Sequence, residues 1–158
     1  MDGKIFHITK GKLKELQKEY QQLVVFERAK VVGVEAPKVL ESEDMNPEFV
    51  SYHEDMDSLR LHMDELKNIL EHHQLIKKPS KEKRALVDIG ATVHIDVKGK
   101  KNEFMIVGTL EANPNLGKIS NESPLGAALL GHKIGDEVIV PAHEDTVYKI
   151  RKIKYQVG

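Results

Sequence analysis

The stretch whose residue types could do chemistry is "ESEDMNPEF", Glu41 to Phe49, which places Glu41, Glu43, Asp44 and Glu48 within nine residues. Carboxylates this close together offer hard oxygen donors able to share a divalent cation. They equally suit the positive end of a helix that follows them, or simply keep a bend solvated. Which use applies depends on the elements that hold the acids.

Downstream, Tyr52, Met56, Leu59, Met63, Leu66, Leu70 and His73 recur at alternating steps of four and three, with charged residues filling the gaps. That spacing predicts a coiled-coil seam, with Met56 and Met63 as packing residues. Asn46 is a capping residue, Pro47 fits a first turn where its missing N–H costs nothing, and Glu48 favours the helix dipole. A helix is therefore expected over 47–76. Upstream, Thr9 can cap a first helix whose seam reads Leu13, Leu16, Tyr20 and Leu23 before drifting through Val24, Val31 and Val34, a stutter in the repeat. Ala36-Pro37 disfavours further helix, so the chain turns over 35–46. Neither amphipathic helix can bury its stripe alone, and an antiparallel coiled-coil hairpin is the simplest closure. A helix of roughly 30 residues is a rod about 45 Å long, with the carboxylates at its far tip.

After "KKPSKEKR", Lys77 to Arg84, a polar stretch without apolar periodicity, the pattern changes to strands: "ATVHIDV", "NEFMIVGTL", "GDEVIVPA" and "TVYKIRKIKY". One short helix interrupts them, where Ser123-Pro124 and "LGAALLG" read as cap, first-turn proline, apolar turn and terminal glycine. The expected class is α+β in two domains: 1–76 a helical hairpin with an acidic tip, 77–84 a linker, 85–158 a small sheet with a short helix.

Composition sets limits. The 158 residues are 40% hydrophobic, as suits a soluble globular protein, and the lack of cysteine excludes disulfides, thiolate metal sites and thiol nucleophiles. No apolar run approaches the ~20 residues of a membrane span, and "MDGKIFHITKGK" lacks a signal peptide's apolar core, so a cytoplasmic protein with no membrane partner is expected. Residues 1–76 carry 10 Lys+Arg against 15 Asp+Glu, whereas 77–158 carry 14 against 10. That asymmetry argues against the first half wrapping nucleic acid, which needs a surplus of cations.

Other reactive residue types read as structural. His72 and His73 are adjacent and diverge on a helix, and His53 and His62 lack an i+4 partner set, so solvated surface is favoured over a metal site. Ser123 has no His and acid spaced to activate it, and capping explains it. Lys98, Lys100 and Lys101 form a basic hairpin turn, solvated or in contact with RNA or an acidic surface.

"ISNESPLGAALLGHKIGDEV", Ile119 to Val138, resembles the C-terminal signature of the bacterial GreA/GreB transcript-cleavage and elongation factors, with Ser120, Ser123, Pro124, Leu129, Gly131, Gly135 and Asp136 all in place without gaps. "ITKGKLKEL", Tyr52-His53, "DIGATVHI" and "FMIVG" extend the resemblance along nearly the whole chain. It implies an FKBP-like globular domain without isomerase activity, and bacterial RNA polymerase as partner. That domain would dock at the rim of the secondary channel through Glu122, Ser123 and Pro124, with Glu122 where the family commonly has Asp. The hairpin would enter the channel, where tip acids help hold a second Mg²⁺ of the polymerase active site and orient water. The polymerase itself then hydrolyses the 3′ end of backtracked RNA. The chain would be a monomer, not an enzyme itself, binding no cofactor alone and meeting the nascent RNA only indirectly.

The family's tip reads approximately G-D-L-[SK]-E-N-A-E-Y-H. Aligned from Tyr52-His53, Glu48 takes the first Glu position while Met45 falls on the Asp, and a one-residue insertion in the turn returns Asp44 to that role. Asp44 and Glu48 are then the metal-assisting pair, with Glu41 and Glu43 as weaker candidates. Two readings stand: a cleavage factor, or a Gre-like regulator that occupies the same channel and inhibits or modulates the polymerase without cleavage. A coiled-coil module binding some other protein is the competing class.

Overall fold

A computed structural model describes residues 3–33, 47–141 and 143–156. The chain divides into two compact units, Leu13–His72 and Met1–Lys12 joined with His73–Gly158.

The first unit is helical. Helix α1 (Lys10–Gly33) and helix α2 (Pro47–Glu71) are linked by Glu19 Oε1 to His62 Nε2, 2.8 Å, and by Glu27 to Arg60, 3.8 Å. Position rises along α1 as it falls along α2, so the helices run antiparallel. The seam expected on α2 is the one observed: Met56 and Leu66 are buried, and Tyr52, Leu59, Met63 and Leu70 half-buried. On α1 Leu16 is buried, and Leu13, Tyr20 and Leu23 half-buried. Of the expected drift beyond Leu23, Val24 is met, Val31 is not, and Val34 lies outside the described residues. Val24 stays at the seam, Val31 is exposed, and Glu27 and Lys30 take half-buried positions with their aliphatic stems.

Helix α2 stops at Glu71 rather than continuing to Ile76, because His73–Leu75 becomes strand β2 and pairs in parallel with strand β1 (Phe6–Ile8). Ile76 N–H donates to Ile8 C=O at 2.8 Å, and both side chains are buried. This ladder puts residues 1–12 and 73–76 in the globular unit. Residues 77–84 belong to it as well: Arg84 Nε donates to Pro79 C=O, and Lys83–Ala85 forms a 3₁₀ turn.

The larger sheet has the order β5-β4-β3-β7-β6 and contains β3 (Ala91–Val97), β4 (Lys100–Val107), β5 (Lys118–Ser120), β6 (Glu137–Val140) and β7 (His143–Tyr155). It is antiparallel except where β5 pairs in parallel with β4. Alternation decides its faces. Ala91, Val93 and Ile95 join Ile106, Val138 and Ile150 in the core with Leu129 of helix α3 (Pro124–Leu129), and the intervening residues of β3 and β7 point away. The β3–β4 hairpin turns on Lys98 and Gly99, with φ of 51° and 80°; two consecutive positive values define the type I′ turn that suits strand twist.

Tyr155 closes one edge of the core. Its hydroxyl donates to Leu86 C=O at 2.6 Å and accepts from Asp88 N–H at 3.0 Å, and burial raises its pKa above the usual 10.0. Tyr155→Phe should cost about 1–3 kcal/mol, because it removes two part-buried hydrogen bonds, at about 0.5–1.5 kcal/mol each. A lowered denaturant midpoint at pH 7 checks this. In the wild type the unfolded chain ionises first as pH rises, so this tyrosine's contribution is complete below about pH 10 and declines above it.

Candidate docking turn and acidic hairpin

The turn that the sequence marks with two serines and a proline is held by one hydroxyl used twice. Ser123 Oγ donates to Ser120 C=O at 2.6 Å and accepts from Gly126 N–H at 3.1 Å, which caps α3 with Pro124 in its first turn. Ser120 Oγ in turn accepts from Glu122 N–H at 3.0 Å. Gly126 is needed because a Cβ there would lie 2.0 Å from Ser120 C=O oxygen. Ser123 therefore serves the turn. Glu122 and Pro124 stand exposed on it, and Lys4 reaches the Glu122 carboxylate at 3.9 Å. Of the three residues expected to meet a partner, two offer side chains outward and the third fixes their backbone.

Next to this turn, the same unit holds the N-terminal strand by close backbone contact. A Cβ on Gly108 would sit 2.0 Å from His7 C=O oxygen, so only glycine lets β1 lie against the end of β4. Thr9 then donates twice to one carboxylate, through N–H to Glu111 Oε2 at 2.9 Å and through Oγ1 to Glu111 Oε1 at 2.6 Å. Thr9 Oγ1 also accepts from Lys12 N–H at 3.2 Å, the expected cap of α1.

Glu41, Glu43 and Asp44 lie outside the described residues, as does the capping Asn46. Glu48 is described as backbone only, the second residue of α2. The histidines considered for metal have other surroundings: His62 meets Glu19, His72 Nδ1 lies 2.9 Å from Asn68 C=O, and His53 stacks edge-on with Tyr52. Among the described residues no group of three or more His, Asp or Glu side chains is placed to hold a metal ion.

Comparison with known proteins decides the family. The description "Transcription elongation factor, GreA/GreB, C-term" matches residues 82–155. The transcription elongation factor GreA of Thermomicrobium roseum is 34% identical over 142 residues, 89% of this chain and 90% of that one. The chain belongs to the GreA/GreB family of transcription elongation factors. The GreA of Mycoplasma genitalium is likewise similar, 34% identical over 153 residues and 94% of each chain. The solved GreA/GreB factor from Nitrosomonas europaea aligns over 96% of this chain and 99% of its own at 17% identity and a TM-score of 0.42. The two-domain α+β architecture expected from the resemblance is that of this GreA/GreB-family chain, and no described helix is long and apolar enough to cross a membrane.

One part of the GreA/GreB signature acts away from the Ser120–Pro124 turn. Asp136 Oδ2 accepts from Lys133 N–H at 3.0 Å and lies 3.1 Å from His132 Nδ1, and the backbone hydrogen bond, followed by His132, lowers the carboxyl's pKa. It closes the loop before β6, where Gly135 takes a φ of 93°. Sequence reasoning did not find Gly108, Gly126 or Glu111. The two glycines sit inside quoted motifs, so their signal was present; Glu111 is a lone acid that bonds a residue 102 positions away.

Proposed function

We propose that this chain binds bacterial RNA polymerase, inserts its helical hairpin into the secondary channel and stimulates the polymerase's own cleavage of the 3′ end of backtracked RNA. Membership of the elongation-factor family carries this reading, together with an antiparallel helix pair whose connecting segment holds Glu41, Glu43 and Asp44. Asp44 and Glu48 add oxygen donors beside the polymerase's Mg²⁺ and accept hydrogen bonds from the attacking water. That metal supplies charge stabilisation and a more acidic water. The globular unit contributes affinity, with Glu122 and Pro124 facing the channel rim and Ser123 fixing the turn. The factor acts as a cytoplasmic monomer and leaves the catalytic centre to its partner.

Binding is the first test. Purified full-length protein should co-elute with core polymerase at modest salt; failure to form that complex would remove the polymerase from the account. One sequence observation keeps a second reading open: without an insertion, Met45 stands where the family's tip aspartate does. A factor lacking that acid would occupy the channel and slow elongation without cutting.

A further inference from the structure

The cationic surplus of the second half of the chain has a location. Along β7, Tyr148, Ile150, Ile153 and Tyr155 pack toward the core, leaving Lys149, Arg151, Lys152 and Lys154 for the outer face. Ile150 and Ile153 are three apart, which strict alternation would send to opposite sides. A bulge opposite His94 and Ile95 restores them to one side and gives both Arg151 and Lys152 to the other. Across the sheet Lys101 stands in register with Asp96, and Lys101, Arg151 and Lys152 line an open groove of about 650 Å³, with Lys149 and Lys154 further along the same face of β7.

The acids of that groove lie beside basic groups, and Asp96 Oδ1 is buried without a hydrogen-bond partner. Asp96 accepts a hydrogen bond from Arg151 Nε, Glu103 lies 4.0 Å from His94 Nδ1, and Lys149 stands in register between Asp96 and Glu137. Among the described residues no carboxylate pairs with Lys101, Lys152 or Lys154. Lys154 beside Lys152 lowers the latter's pKa, the mark of two cations side by side. At strand spacing Lys152 and Lys154 are about 6–7 Å apart on β7, whereas Lys101, level with Asp96 and Lys149, lies roughly 12 Å from Lys152 and about 16 Å from Lys154.

We propose that this outer sheet face binds the phosphodiester backbone of a single-stranded nucleic acid. Charge complementarity selects that occupant. An interface with a folded protein is built around buried aromatic or aliphatic anchors, and here the aromatic residues of β4 and β7, Phe104, Tyr148 and Tyr155, are turned into the core. Phosphates need only spaced cations. With no Phe, Tyr or Trp ring on this face, binding is independent of sequence, weak, at about 1–100 μM, and steeply dependent on salt.

The test uses the full-length protein and a fluorescein-labelled single-stranded RNA of about 15 nucleotides, followed by anisotropy as salt is raised from low ionic strength. Three phosphates neutralised by Lys101, Lys152 and Lys154 give a slope of log affinity against log salt of about −2. The triple variant Lys101→Ala/Lys152→Ala/Lys154→Ala should lose most of the binding and of the slope, as should the bulkier glutamine triple. Lys77→Ala/Lys78→Ala/Lys81→Ala, equal in charge, should keep both. The proposal is overturned by absence of binding at low salt, by equal losses in the two sets, or by polyglutamate of matched charge displacing the RNA as well as unlabelled RNA does. That last outcome would assign the face to an acidic protein segment. None of these readouts involves the polymerase, so they stand apart from the function proposed above.

Discussion

Asp44→Ala/Glu48→Ala should reduce RNA 3′ cleavage in stalled elongation complexes by at least about 100-fold, the lower end of what positioned acid–base groups contribute to a reaction. Binding to core polymerase should stay within about twofold of wild type, because the proposed affinity comes from the globular unit. The argument is one of geometry. Cleavage by a metal-dependent centre needs hard oxygen donors delivered to a confined place, and a helix pair is narrow enough to carry them there. Single variants separate the two acids. If Asp44 holds the role reached through a one-residue insertion, Asp44→Asn should cost nearly as much as the double change, whereas Glu43→Gln and Glu41→Gln should cost little. Undiminished cleavage by the double variant would take the tip out of the mechanism altogether.

Gly126→Ala is expected to have a large effect on the fold for a methyl-sized change, as is Gly108→Ala, whose Cβ meets backbone at the same 2.0 Å. At Gly126 the added carbon would stand 2.0 Å from Ser120 C=O oxygen and 3.0 Å from both Ser120 carbonyl carbon and Ser123 Oγ. Two of these atoms are backbone, so relief requires opening the turn and losing both hydrogen bonds of Ser123. Overpacking of this kind costs about 3 kcal/mol or more, read as a lowered denaturant midpoint at unchanged slope. Polymerase binding should weaken as well, since Glu122 and Pro124 ride on the displaced backbone. Gly11→Ala is the contrasting change. The nearest atom to its Cβ is Thr9 Oγ1 at 3.9 Å, and alanine is the better helix former, so stability should hold or rise by up to about 1 kcal/mol. Equal losses from the two substitutions would contradict the steric account of the turn.

Elements whose sequence carries a period or a punctuating residue were legible. Six positions from Tyr52 to Leu70 predicted the α2 seam, while the seventh, His73, falls in β2. "ATVHIDV" predicted β3 from alternation alone, and Ser123-Pro124 predicted the start of α3 from its cap. What escaped was short and non-local. Strands β1, β2 and β5 have three residues each, too few to show a period, and all pair in parallel, β1 and β2 with each other across 67 residues and β5 with the preceding strand β4. The end of α2 escaped for a related reason. No glycine or proline follows Glu71 until Pro79, so periodicity continued into residues whose backbone groups are taken by β1. Of the candidate site, the serine-proline turn was legible as a helix start. Its strict need for Gly126 lies in a carbonyl six residues upstream, a distance that only coordinates give.

The account stands most directly on one assay: addition of the wild-type protein to a backtracked elongation complex carrying 3′-labelled RNA, with Mg²⁺ present. A short labelled fragment should be released, and the shortened transcript should resume extension. Slower elongation with the 3′ end intact would contradict cleavage and make the protein a channel-occupying inhibitor of the polymerase.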